Sequence, residues 1–427
     1  RPSLPIIFSI SALLLGLASS GCNDGGSSGD GNRANERPLR INIDPAGDEM
    51  ELMAAICRDF EAETGIKVQT VVGPASSSER LNLYRQLFGA RSTAIDIYQL
   101  DTIWPGILHR HLVDLGPAME EEIEQFAPAT MEANRVSGRF VAAPLYISVG
   151  MLYYRPGLLE KYGFEGPPGT YAELEEMGRV ITRGEQAEGN PDFWAYAWQG
   201  DAYEGLTCNL IEWIKSEGGT YFDSEGRVQI GSDSSLRAIE RGASWVGTIS
   251  SPAVLTWKEA ESEEAFAKGN AAFLRAWPTA RARLLKSDVA GDFETAPLPK
   301  GTVQSASTLG GWGLGVSVYS PRREEAVEFV KYATSARVLK MRAIKGGLLP
   351  PRPALYEDPD IRESLPAIDQ YAETLSSAVA RPTVQVGDRY GEISAVLYSE
   401  VHDVLSGEQT SAEALRKIEE KATEFLE

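Results

Sequence analysis

Apolar positions along the chain change their period several times, and each change marks an element. Arg40-Ile41-Asn42-Ile43 reads as a short strand, after which Met50, Met53, Cys57 and Phe60 recur at helical spacing. Asp48 opens that helix with Glu51 three residues on, the pattern of a capping box, and Gly65 stops it. Ile66 to Val72 predicts a second strand. A helix carrying Leu81, Tyr84, Leu87 and Phe88 follows, and Ile95 to Leu100 predicts a third strand that runs directly into Asp101. Strands alternating with helices imply a parallel sheet covered on both faces. Ligands of such sheets collect beyond the carboxyl ends of the strands. Glu49, at the head of the first helix, and Asp101, past the third strand, fall on that rim.

A second unit of the same character starts near Val149 to Tyr154. It continues through Phe193 to Trp198, a helix with Leu206, Leu210 and Ile214 on one face, and a strand from Ala271 to Arg275. Gly311 to Val318 predicts a further strand, and Ser320-Pro321 supplies a cap and a first-turn proline for a helix after it. Two helices close the chain, over 390–405 and 411–426, the last capped by Thr410 with Glu413. The class is α/β, in two units.

The first residues read as an address. Leu4 to Ala18 is an apolar run too short to span as a mature helix, and it ends at Ser19-Ser20-Gly21-Cys22, which is similar to a bacterial lipobox. Cleavage there would leave Cys22 to carry lipid, although Ser19 stands where such boxes usually have leucine. Asn23 to Asn35 has the Gly/Ser composition of a flexible tether. Residues 1–22 are therefore expected to be a signal peptide and 23–37 a linker.

Charge and missing motifs narrow the chemistry. With 41 Lys+Arg against 61 Asp+Glu the chain carries a formal charge of −20, which repels phosphate backbones and argues against nucleic acid. A mean hydropathy of −0.22 is too polar for a multi-span membrane protein. Three histidines make a His-built metal site improbable, and His109 with His111 reads as surface. Cys57 and Cys208 read as separate buried thiols. There is no P-loop, HExxH or CxxC, so neither an enzyme nor a cofactor is expected. Gly311-Trp312-Gly313-Leu314-Gly315 lacks the spacing of a dinucleotide loop. What remains is an excess of Trp, Tyr and carboxylates near strand ends and turns. Sugars present apolar C–H faces rimmed by hydroxyls, so a site for them needs flat rings plus charged hydrogen-bonding groups.

Several segments together resemble the bacterial extracellular solute-binding proteins of sugar-transporting ABC systems, and within them the trehalose/maltose-binding group. They are DEMELMAAICRDFEAETGIKV from Asp48, PLYISVGMLYYRPGLLEKYG from Pro144, FWAYAWQGDAYEGLTCNLIEWI from Phe193, GNAAFLRAWP from Gly269, TLGGWGLGVSVYS from Thr308 and ARPTVQVGDRYGEIS from Ala380. The resemblance implies a type II periplasmic-binding-protein clamshell of two lobes, each a mixed sheet flanked by helices. Residues 38–147 and 313–350 would form one lobe and 148–312 and 351–427 the other, with crossings near Tyr146–Ser148, Gly310–Gly313 and Leu349–Arg352. The implied function is capture of a disaccharide of the trehalose, maltose or sucrose type for a membrane permease, by an exported, lipid-anchored monomer. Implied ligand contacts are Glu49, Arg80, Asp101, Tyr146, Asn209, Trp277, Gly311, Trp312 and Arg381. Ser148 stands where the family often has aspartate, which implies a changed sugar preference. A secreted glycoside hydrolase acting on small α-glucosides is the alternative, since paired carboxylates with aromatic rings also describe such a site.

Overall fold

The alternating rhythm produces β1 (Leu39–Ile43), α1 (Glu49–Thr64), β2 (Val68–Val72), α2 (Ser77–Gly89) and β3 (Ile97–Asp101). The computed structural model describes residues 37–45, 49–223, 227–376 and 378–427. The expected signal peptide, Cys22, nearly all of the linker, and Asp48 of the expected capping box lie outside the described residues. In α1 the buried Leu52, Met53, Ile56, Cys57 and Phe60 form the inward stripe, and Gly65 ends the helix at φ 76°. Ser76 caps α2 through its side-chain oxygen, which accepts from the Glu79 amide.

The chain then builds β4 (Ala143–Val149), β5 (Met151–Tyr154), β6 (Tyr196–Ala197) and α3 (Glu204–Ser216). After these come α4 (Glu259–Ala267), β7 (Phe273–Ala276), β8 (Glu294–Ala296) and β9 (Leu309–Val316). The last helices described here are α5 (Arg323–Ala333), α6 (Ala336–Gly346), α7 (Tyr390–Leu405) and α8 (Ser411–Leu426).

The first sheet has the order β2-β1-β3-β9-β4 and the second β8-β5-β7-β6. The expectation of a parallel first sheet is corrected. β1 is parallel to β2 and β3, but β9 runs antiparallel between β3 and β4. Local periodicity could not reveal this, because β9 enters from more than 200 residues downstream of β3. The helix expected to start at Ser320-Pro321 begins at Arg323 instead. Ser320 is diverted: its hydroxyl donates to Asp96 at 2.6 Å and accepts from the Arg322 amide, which closes a turn. The closing helices match expectation, and Thr410 with Glu413 forms a full capping box.

The chain passes from the first sheet to the second at Gly150 and returns just ahead of Leu309. These places lie a few residues inside the divisions expected at 147/148 and 312/313. The two crossings are laced together, with Ser307 Oγ donating to the Gly150 carbonyl at 2.8 Å. In the second half the rings of Trp198, Trp213 and Trp245 meet edge to face in the core, 5.2 and 5.4 Å apart. Among the described residues no helix is long and apolar enough to cross a membrane.

Candidate functional site

At the carboxyl ends of β1 and β3, facing α3 and α4, lies a cavity with about 1160 Å³ of atom-free space counted to its open mouth. Glu49, Arg80, Asp101, Tyr146, Ser148, Trp277, Gly311, Trp312 and Arg381 all line it. Strand register explains part of this convergence. Trp312 in β9 stands opposite Asp101 of β3 on one side and Tyr146 of β4 on the other, so the three lie in one row across the sheet.

Gly310 and Gly311 let the rings approach. A Cβ on Gly311 would sit 2.6 Å from the Tyr146 carbonyl oxygen, and its φ of 137° disfavours any side chain. A Cβ on Gly310 would sit 3.0 Å from the Trp277 ring.

Each ring at the cavity has an arginine guanidinium over it. The Arg80 guanidinium lies 4.5 Å from the centre of Trp312, that of Arg275 lies 4.1 Å from Trp277, and that of Arg342 lies 5.5 Å from Tyr146. All three arginines are buried and each is held by a carboxylate: Arg80 by Asp44 at 2.8 Å, Arg275 by Glu212 at 2.5 Å and Arg342 by Glu49 at 2.6 Å. Pairing is what permits charges in such a place. One face of each ring is thus supported by a fixed cation. Trp277 and Trp312 are only half-buried, unlike Trp104, Trp198, Trp213 and Trp245 in the core.

Arg381 arrives from the far end of the chain. Val379 is clamped at the start of β9, its amide donating to Ser307 and its carbonyl accepting from Leu309, which delivers the residue two places on into the cavity. Arg381 binds both Asp101 oxygens, one of them at 3.1 Å, and reaches Glu204 at 3.0 Å. Burial lowers the readiness of Arg381 to stay charged, but Asp101 and Glu204 more than offset it, so its affinity for the proton rises. Burial pushes both Glu49 and Glu204 above the usual carboxylate range, against the pull of Arg342 and Arg381 respectively.

Buried donors without partners point to a polar ligand. Ser148 Oγ, Arg80 Nε and Nη1, and Arg381 Nε are buried and unsatisfied, and each belongs to a residue lining the cavity. Leaving such a group unmet costs about 1–3 kcal/mol, so each is a place where a ligand or water gains.

Asn209 is the exception among the expected residues. It does not line the cavity; its amide nitrogen donates to the Gln199 carbonyl at 2.8 Å, and its neighbour Cys208 lines the cavity with Glu204 and Gly205. Cys208, four residues on from Glu204, shares its side of the helix, and Asn209, one residue further, turns away.

Asp44, Glu204, Glu259 and Glu263 line the cavity without having been singled out. The rule that marked Glu49 and Asp101 would have found two of them, since Asp44 follows β1 directly and Glu204 heads α3 after β6. Glu259 and Glu263 carry no comparable local signal. Glu263 is buried, beside Glu259 and 3.8 Å from Arg283, which binds Glu264 more closely. Burial, and then the Glu259 charge, push its carboxyl up to about 8.

The same architecture recurs in known proteins. A family model described as bacterial extracellular solute-binding protein matches residues 46–340. A probable ABC transporter-binding protein of Deinococcus radiodurans is 37% identical over 362 residues, 84% of this chain and 86% of its own. The maltose-bound structure of MalE3 from T. maritima superimposes with a TM-score of 0.87 at 33% identity, covering 91% of this chain and 100% of that one. The GacH receptor of Streptomyces glaucescens, solved unliganded and with acarbose, has the same fold, with a TM-score of 0.81 at 23% identity over 91% of this chain and 98% of its own.

Proposed function

The chain belongs to the bacterial extracellular solute-binding proteins, and on that premise we propose that it captures a disaccharide of the trehalose, maltose or sucrose type between its two lobes and delivers it to an ABC permease. The observation that carries the sugar reading is the pair of half-buried indoles, Trp277 and Trp312, each backed by a buried arginine on one face. A fixed cation behind a ring leaves the other face for the C–H side of a pyranose. Paired acids and the unsatisfied donors of Ser148, Arg80 and Arg381 would meet the hydroxyls at the edge. The MalE3 likeness, at 33% identity, supports an α-glucoside over other solutes.

Closure follows from where these groups reside. Glu49, Asp101, Tyr146 and Trp312 belong to the first sheet or its helices, while Trp277 follows β7 of the second. A sugar touching both sets favours the closed arrangement by its differential affinity, and no bond is made or broken. Micromolar binding, about −8.2 kcal/mol, is within reach of two stacked rings and several charge-assisted hydrogen bonds after entropic losses. Cys22, if lipidated, would keep the protein beside its permease as a monomer and raise encounter frequency without new contacts. We assign the first sheet and its helices to one lobe, close to the expected 38–147 with 313–350, and the second sheet and its helices to the other, close to 148–312 with 351–427, with the divisions moved to Gly150 and Leu309.

A thermal-shift panel of disaccharides on the wild type and Trp312→Ala tests the reading. One α-linked glucose disaccharide is expected to raise the melting temperature, and the variant to lose the response. An undiminished response in the variant would refute the site. The hydrolase reading keeps one observation in its favour, the raised carboxyl of Glu263 beside Glu259, since such chemistry needs an acid that is protonated near neutral pH. Release of glucose from trehalose, maltose or sucrose by purified protein would favour it.

A further inference from the structure

Arg381 is ion-paired to both halves of the cavity, and what holds it there is Glu204. The Glu204 carboxylate accepts from Arg381 at 3.0 Å, from the Tyr390 hydroxyl at 2.5 Å and from the Ser394 hydroxyl at 2.6 Å. Three donors from two chain segments therefore converge on one buried acid at the head of α3. Tyr390 and Ser394 lie four residues apart on one face of α7, so that helix fixes the carboxylate, and the carboxylate fixes the guanidinium. Arg381 in turn presents two nitrogens to the two oxygens of Asp101, the last residue of β3 in the first sheet. The backbone repeats the tie: the Glu204 amide donates to Ser78 Oγ in the first turn of α2, at 3.3 Å.

We propose that Glu204 is a positioning residue whose task is to aim Arg381 at Asp101, making a protein-only latch that ties the two halves together before any sugar enters. Every bond in the latch is between side chains of this chain, so the closed arrangement is favoured in advance and the ligand has less to supply. Arg381 keeps one buried donor, Nε, unspent for the ligand. The proposal rests on the two-lobed closure above, and on the sugar reading only for its binding arm.

Small-angle scattering of ligand-free protein provides the first measurement. Glu204→Gln keeps the shape of the side chain and removes its charge, and Tyr390→Phe removes one of its donors while leaving the charges intact. Both are expected to enlarge the radius of gyration relative to wild type, with Glu204→Gln the larger, and Asp101→Asn combined with Glu204→Gln is expected to add little, because both act on one tie. Circular dichroism and an unchanged melting cooperativity establish that each variant is folded. Should Glu204→Gln unfold the chain, Tyr390→Phe carries the measurement. Identical radii for folded variants and wild type would overturn the latch. The second arm is affinity for whichever disaccharide stabilises the wild type: Glu204→Gln should weaken it by roughly 5–150-fold, the range of an ordinary coupling between sites, with Glu204→Asp recovering part of the loss. A loss of affinity without any change in ligand-free dimensions would make Glu204 a simple contact and sink the positioning role. A sugar panel with no response at all would count against the disaccharide reading and leave the scattering result to decide the latch.

Discussion

The two walls of the cavity handle acidity in opposite ways. On the first-sheet wall every carboxylate has an arginine: Asp44 has Arg80, Glu49 has Arg342 and Asp101 has Arg381. On the α4 wall the Glu259 carboxylate accepts from the Tyr203 hydroxyl at 2.7 Å, and Glu263 has Arg283 no nearer than 3.8 Å. Glu263 is as buried as the first-sheet acids while Glu259 is only half-buried, so for Glu263 the lack of a closely matched cation makes the difference. One wall pairs its acids with arginines; on the other, burial pushes a carboxyl up to about 8. The first can orient a ligand through fixed charges, and the second can either donate or accept a hydrogen bond according to pH.

That contrast can be broken from either side. Arg381→Ala should have the largest effect, because it strands two buried carboxylates, Asp101 and Glu204; a loss of about 3–5 kcal/mol is expected in urea unfolding. A loss under about 1 kcal/mol would mean that the paired wall owes nothing to its pairs. Arg80→Met comes next, removing the ion pair to Asp44 and the cation over Trp312, for about 2–3 kcal/mol. Adding Asp44→Asn to it should restore part of the stability, whereas strictly additive losses would show that packing, not charge, was at stake.

Glu263→Gln tests the other wall and should move stability the opposite way. Folding raises this carboxyl from 4.5 to about 8, so between those values the folded chain holds a proton that the unfolded chain has released. Stability therefore falls as pH rises through that window, by the linkage of proton binding to folding. The variant should melt higher than wild type at pH 8, by about 1–2 kcal/mol of stability, and almost alike at pH 4. Melting curves at the two pH values that shift equally would disprove the assignment. The smallest effect is expected from Glu259→Gln, under about 0.5 kcal/mol at pH 7, with the Glu263 titration followed by NMR moving downward as its like-charged neighbour is removed.

Much of this protein was legible before its coordinates. The helices over 390–405 and 411–426, the capping pair Thr410 and Glu413, and the strand-end placement of Glu49 and Asp101 came from period and local chemistry, which act over a few residues. The same rule, applied more widely, reaches Asp44 and Glu204. The Gly-Gly-Trp segment was visible, but not that β9 inserts antiparallel between β3 and β4, because strand partners separated by hundreds of residues leave no trace in local periodicity. Asn209 shows the limit at its finest: one residue along a helix is a turn of about 100°, enough to carry a side chain from the cavity into the packing behind it.

By itself the sequence determined many of the elements, the acidic and aromatic inventory and the family, since these depend on residue types and short spacings. Only the tertiary structure decided which arginine stands behind which ring, which carboxylates are paired, and that Arg381 joins Asp101 to Glu204. Ion pairs and ring contacts require separations of a few ångströms between residues far apart in the chain, and those separations exist only once the sheets have packed.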